Sequence, residues 1–86
     1  GIEHEVSNKQ IILSIPVNQI RQDFSGEVFL FCPADVTKDV KINMHFDTNG
    51  KQIINSSNIS RGIYKMKMSW KSNGVNYYKE DVITLK

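Results

Sequence analysis

Ser60-Arg-Gly-Ile-Tyr-Lys-Met-Lys-Met-Ser-Trp70-Lys-Ser-Asn-Gly-Val-Asn-Tyr-Tyr-Lys-Glu80-Asp-Val-Ile-Thr-Leu-Lys86 reads as a complete β-hairpin. Tyr64, Met66, Met68 and Trp70 recur at period 2 on one face, with Lys65, Lys67 and Ser69 on the other. Successive side chains of an extended chain point to opposite sides, so this alternation marks a strand with one buried face. Asn73-Gly74 then supplies the two residues best able to take the positive φ angles of a type I′ turn, whose twist matches the flanking strands. Val75 to Leu85 is again rich in β-branched and aromatic residues and reads as the returning strand.

The pattern continues upstream. Val40, Ile42, Met44 and Phe46 alternate with Lys41, Asn43 and His45, which predicts a second half-buried strand running through Phe46. Asp47-Thr-Asn-Gly50 is a strong turn signal, followed by a short strand over Lys51 to Ile54 and a polar loop over Asn55 to Asn58. Glu27-Val-Phe-Leu-Phe-Cys32 is apolar on both faces and is closed by Pro33, so it is either central or exposes one apolar row. Ile11 to Val17 reads as a strand, where Pro16 implies an edge position or the end of pairing. Ile2 to Val6 is a lead-in, while Asn18 to Phe24 and Val36 to Asp39 read as loop and turn.

About seven short strands with no helical stretch predict an all-β fold, an antiparallel immunoglobulin-like β-sandwich forming one domain over 1–86, with a small barrel as the alternative. The Cys-Trp-Cys signature of antibody domains is absent, so the likeness is one of architecture. The shared phase places Tyr64, Met66, Met68, Trp70, Val40, Ile42, Met44 and Phe46 in the core.

Composition narrows the function classes. Hydrophobic residues make up 40% and charged residues 23%, which is enough apolar material for a folded core and excludes a disordered chain. Cys32 is the one cysteine, so no intramolecular disulfide forms and the redox compartment stays open. Net charge is +2, and the lysines are spread along the sequence without a basic run, which argues against nucleic acid as a partner. No apolar run is long enough to span a bilayer, and Gly1 in place of an initiator Met points to a processed or engineered fragment.

No catalytic constellation is visible, and the expectation is a protein without enzymatic activity. Met44, Met66, Met68, Cys32, His4 and His45 are soft or borderline ligands that invite a copper site. Strand geometry argues for packing instead, since the methionines share phase with Tyr64, Trp70, Ile42 and Phe46, and His45 points away from Met44. Cys32 shares phase with Val28 and Leu30, an apolar row in which a thiol is inert. Glu80 and Asp81 are neighbours on one strand and point apart, so they are not an acid–base pair. Neither a phosphate-binding loop nor zinc-ligand spacing occurs, so no cofactor or metal is expected.

Phe29 and Phe31 are the apolar residues left over. With Val28, Leu30 and Cys32 inward, both rings belong to the outer face of their strand, where an exposed aromatic row would mark a partner surface unless a loop or strand covers it.

The terminal hairpin also carries a family likeness. Arg61-Gly-Ile-Tyr64, Trp70 and Asn73-Gly-Val-Asn-Tyr-Tyr78-Lys-Glu80 with the apolar end Val82-Ile83 resemble the closing motifs of the FixH family, and Gly26-Glu-Val-Phe-Leu-Phe31 with Pro33 looks like that family's central strand. The likeness spans roughly Ser25 to Lys86. It implies an exported immunoglobulin-like domain on the periplasmic side of the bacterial inner membrane, tethered by an N-terminal transmembrane helix that this chain lacks. It further implies a role in assembling a cbb(3)-type haem-copper cytochrome oxidase, with an oxidase subunit or a copper-transporting P-type ATPase as the protein partner. The family offers no catalytic residues to carry over. Tyr64 and Trp70 match its motif as core residues, and Glu80 as a turn or strand-edge contact. Two other readings stand beside this one: a periplasmic module that binds copper itself, and a generic exported adhesion or accessory domain.

Overall fold

The computed structural model describes all residues from Gly1 to Lys86. Seven strands occur in the order β1 (Glu3–Val6), β2 (Gln10–Ser14), β3 (Ser25–Phe31), β4 (Val40–Asn43), β5 (Lys51–Asn55), β6 (Gly62–Ser72) and β7 (Val75–Leu85). They form two antiparallel sheets, one ordered β1-β2-β5 and the other β4-β3-β6-β7. The inward faces of both sheets supply one core of Ile2, Ile11, Leu13, Ile15, Val28, Leu30, Cys32, Met44, Ile54, Tyr64, Met66, Met68, Trp70, Ile83 and Leu85. The fold is therefore the expected all-β sandwich. Its only helical pieces are single 3-10 turns at Val17–Gln19 and Val36–Lys38, and no helix is long and apolar enough to cross a membrane.

The hairpin that anchors the sequence reading forms as read. Trp70 pairs with Tyr77 and Ser72 with Val75 across the β6–β7 ladder, and Asn73 (φ 53°) and Gly74 (φ 74°) make the turn. The turn is held from outside as well. The Asp23 carboxylate accepts the backbone N–H of Asn73 at 2.9 Å and of Gly74 at 2.7 Å, and these bonds hold its pKa below the ordinary carboxylate value. At the other end of β6, the Tyr64 hydroxyl donates to the Ser60 carbonyl at 2.6 Å. A tyrosine near the start of this strand, bonded back to the preceding corner, is a feature of immunoglobulin-type sandwiches. Burial pushes its phenol pKa up, so it remains a donor throughout the ordinary pH range.

Several boundaries differ from the sequence reading, each for a local reason. The alternation of Val40 to Phe46 predicts one strand, but β4 ends at Asn43. There the Gln52 side chain replaces a neighbouring strand, accepting from the His45 N–H at 2.8 Å and donating to the Asn43 carbonyl at 3.0 Å. Met44 still bonds through its N–H to the Gly26 carbonyl at 2.8 Å and stays buried, whereas Phe46 turns aside. Val40, Ile42 and Phe46 are thus half-buried at the core margin, with Phe46 edge-on to Phe24 at 5.7 Å. Pro16 does not make β2 an edge strand. β2 lies between β1 and β5, and pairing ends at Ile15, whose N–H reaches the Gly50 carbonyl just before the proline.

The lateral border next to β1 is polar. β7 is the outermost strand of its sheet, and Lys79 and Asp81 project from it toward β1. Lys79 Nζ donates to the Ile2 carbonyl at 2.8 Å, and Asp81 lies 3.5 Å from His4 Nδ1 and 3.9 Å from Lys79 Nζ. These contacts tie the two sheets together where no strand pairing joins them.

Candidate functional site

On the outer face of the four-stranded sheet, aromatic and basic residues distant in sequence come together. β3 is buried through Val28 and Leu30, so Phe29 and Phe31 point to the opposite side. Both rings are half-buried, not bare. They lie 6.2 Å apart with a tilt of 38°, and Lys67 Nζ stands 5.0 Å over the Phe31 ring, within cation–π range. The rings therefore shield part of each other's surface, and Lys67 covers part of Phe31.

Cross-strand register sets what surrounds them. Phe29 lies opposite Lys41 of β4 on one side and Lys67 of β6 on the other, and Phe31 lies opposite Lys65. Beyond β6, Lys67 faces Glu80 and Lys65 faces Val82 on β7. Ile63, Tyr78 and Val82 share this face and are 60%, 62% and 66% exposed, so no loop or helix covers it along β6 and β7. Glu27, opposite Asn43 and Ser69, is its other acid. Tyr78 donates through its hydroxyl to Glu80 Oε1 at 2.8 Å, and this bond raises the phenol pKa.

Sequence spacing places Phe29 and Phe31 on this face and reads Lys65 and Lys67 as the solvated side of a strand. It does not reveal the grouping with Lys41, because that depends on β4, β3 and β6 being neighbours. The dispersed lysines do form a local cluster, which the even spread along the chain conceals. Two acids interrupt it, so it is no continuous basic stripe.

The other sequence candidates scatter. Met66 and Met68 are fully buried and Met44 nearly so, His45 is exposed, and His4 faces Asp81. No group of three His, Cys, Asp or Glu side chains gathers as a metal site. Cys32 is buried, and its backbone N–H donates to Asp39 Oδ1 at 2.8 Å. Of the hairpin motif, Tyr64 and Trp70 are core and Glu80 sits on the outer face of the edge strand. Arg61 donates to the carbonyls of Asn8, Ser56, Ile59 and Lys86, binding the β1–β2 turn and the C-terminal residue to the corner before β6.

Comparison with models of protein families, with curated proteins and with solved structures gives no significant match.

Proposed function

We propose that this domain is a non-enzymatic accessory factor in the assembly of a cbb(3)-type haem-copper oxidase, acting by protein contact on the periplasmic side of the inner membrane. The observation that carries the docking mode is the Phe29–Phe31 pair, half-buried on the outer sheet face and flanked in register by Lys41, Lys65 and Lys67. Ordered aromatic rings are effective interface anchors because little side-chain freedom is left to lose on binding. The oxidase context rests on the likeness of Arg61–Tyr64, Trp70 and Asn73–Glu80 to FixH closing motifs. A membrane tether preceding the domain and a partner among the oxidase subunits or the copper-transporting ATPase belong to the same reading.

The test is a Phe29→Ser/Phe31→Ser double substitution in the producing bacterium, read as oxidase activity and haem-staining subunits in membranes. The expected result is depleted oxidase with an unchanged far-ultraviolet spectrum and a cooperative unfolding transition in the purified variant. Normal oxidase levels alongside an intact fold would remove these residues as the contact surface.

A further inference from the structure

Lys41, Lys65 and Lys67 make no close ion pair within the chain. The close charged contacts of the molecule are Lys79–Asp81 and the polar contact of His4 with Asp81, which is an ion pair only when the imidazole is protonated, both at the β1–β7 border. Glu80, the acid directly opposite Lys67, is engaged by the Tyr78 hydroxyl. Lys71, the fourth lysine of the face, stands at its far end within the field of Asp23. Glu80 keeps its charge while it accepts the Tyr78 bond and offsets Lys67 in part, whereas Lys41 and Lys65 face no acid across the ladders; the three lysines flank the two phenylalanine rings in register. Neighbouring strands lie ~4.8 Å apart, so Lys41 and Lys67 bracket Phe29 over ~10 Å, while Lys65 and Lys67 are ~7 Å apart along β6.

We propose that the occupant of this face is an acidic protein segment, its carboxylates meeting Lys41, Lys65 and Lys67 while an apolar side chain lies against Phe29 and Phe31. The inference rests on the reading of this face as a docking surface and adds the partner's charge. Charge complementarity favours such a segment over other anions. Glu27 and Glu80 share the face, so a polyphosphate or an anionic bilayer, which presents negative charge everywhere, meets repulsion at two points. A protein segment can place its carboxylates against the lysines alone and neutral groups against the glutamates. The exposed Ile63 and Val82 extend the apolar strip on which its remaining side chains can rest.

The probe is a synthetic peptide of ten residues alternating Asp and Leu, titrated into the isotopically labelled chain and followed by backbone amide shifts. Peptides with Asn or Lys in place of Asp, phosphatidylglycerol vesicles and a thymidine oligonucleotide are run beside it. The expected result is a shift centred on Phe29, Phe31, Lys41, Lys65 and Lys67, weakened about tenfold by raising salt to about 500 mM. Binding should fall by at least about tenfold in Lys41→Glu/Lys65→Glu/Lys67→Glu. The matching triple Gln variant should fall less, and it serves if charge reversal disturbs folding.

Equal binding of the Asn or Lys peptide overturns the inference. So does a shift centred elsewhere, no binding at millimolar peptide, or tighter binding of vesicles or oligonucleotide to this face. In the cell, the lysine triple variant should deplete oxidase as the phenylalanine pair does. Depletion by the phenylalanine change alone would sink the acidic partner and leave the docking surface standing. Depletion by neither would remove the docking surface and this inference with it.

Discussion

Gly26 lies directly opposite Trp70 across the β3–β6 ladder, so close that a Cβ built on the glycine would fall 2.7 Å from Trp70 Cβ. The same atom would lie 2.6 Å from Met44 Sδ and 2.9 Å from the Ser69 carbonyl oxygen. The thioether can move, but the other two contacts involve backbone or the first side-chain carbon, which cannot shift without displacing β6. Gly26→Ala is therefore expected to destabilise the domain by about 1–3 kcal/mol through overpacking. Thermal unfolding checks this, since a loss at the lower bound should lower Tm by at least about 4 °C for a domain of this size. An unchanged Tm would mean that the strands separate more readily than their packing implies.

The Asp23 clamp on the hairpin turn makes a pH-dependent contribution. Its folded pKa lies below the ordinary 3.8, because the Gly74 and Asn73 N–H groups bond the charged carboxylate. In acid the folded state then binds fewer protons than the unfolded chain, so stability from this group is complete above the ordinary value and is lost as pH falls through the folded one. The urea midpoint of the native chain should exceed that of Asp23→Ala at neutral pH, and the gap should narrow as pH falls below the ordinary carboxylate value. A gap independent of pH would show that the clamp acts through shape and not through charge.

Copper retention is expected to be absent. Met66 and Met68 are fully enclosed by the two sheets, so a metal ion could reach them only by opening the sandwich. Competition of the reduced chain against a chromogenic Cu(I) chelator should leave all metal on the chelator. Stoichiometric retention that vanishes in Met66→Leu/Met68→Leu would replace packing with ligation as the role of these thioethers.

The hydroxyl of Tyr64 offers a narrower test of the corner before β6. Tyr64→Phe keeps the ring and removes the 2.6 Å bond to the Ser60 carbonyl, and the expected cost is about 1–2 kcal/mol in urea unfolding. No measurable loss would show that the corner is held by Arg61 and the ring alone.

Short-range chemistry was readable in advance. Asn73-Gly74 could serve only as a turn, and the phase of Tyr64 to Trp70 followed from period 2 once the strand was recognised. What escaped depends on contacts between distant positions. Asp23 looks like an unremarkable loop acid until the hairpin tip is brought beside it, 50 residues away in sequence. The alternation through Phe46 is indistinguishable from a true strand, because nothing nearby reveals that Gln52 will take the backbone bonds of Asn43 and His45. The lysine cluster around Phe29 and Phe31 is likewise a product of strand order. Lys41 and Lys67 are 26 positions apart and become neighbours of one ring only because β3 lies between β4 and β6.

β7 leaves the backbone groups of an 11-residue strand along an open sheet border, a length that invites another copy to add itself and begin a fibril. Lys79 and Asp81, set in the middle of that border and turned toward β1, make such growth costly. A strand joining there would carry the sheet past two charged side chains already committed to Ile2 and His4, and would strip water from them. The small polar cluster that ties the sandwich together at its side thus also raises the cost of adding a strand at this one border.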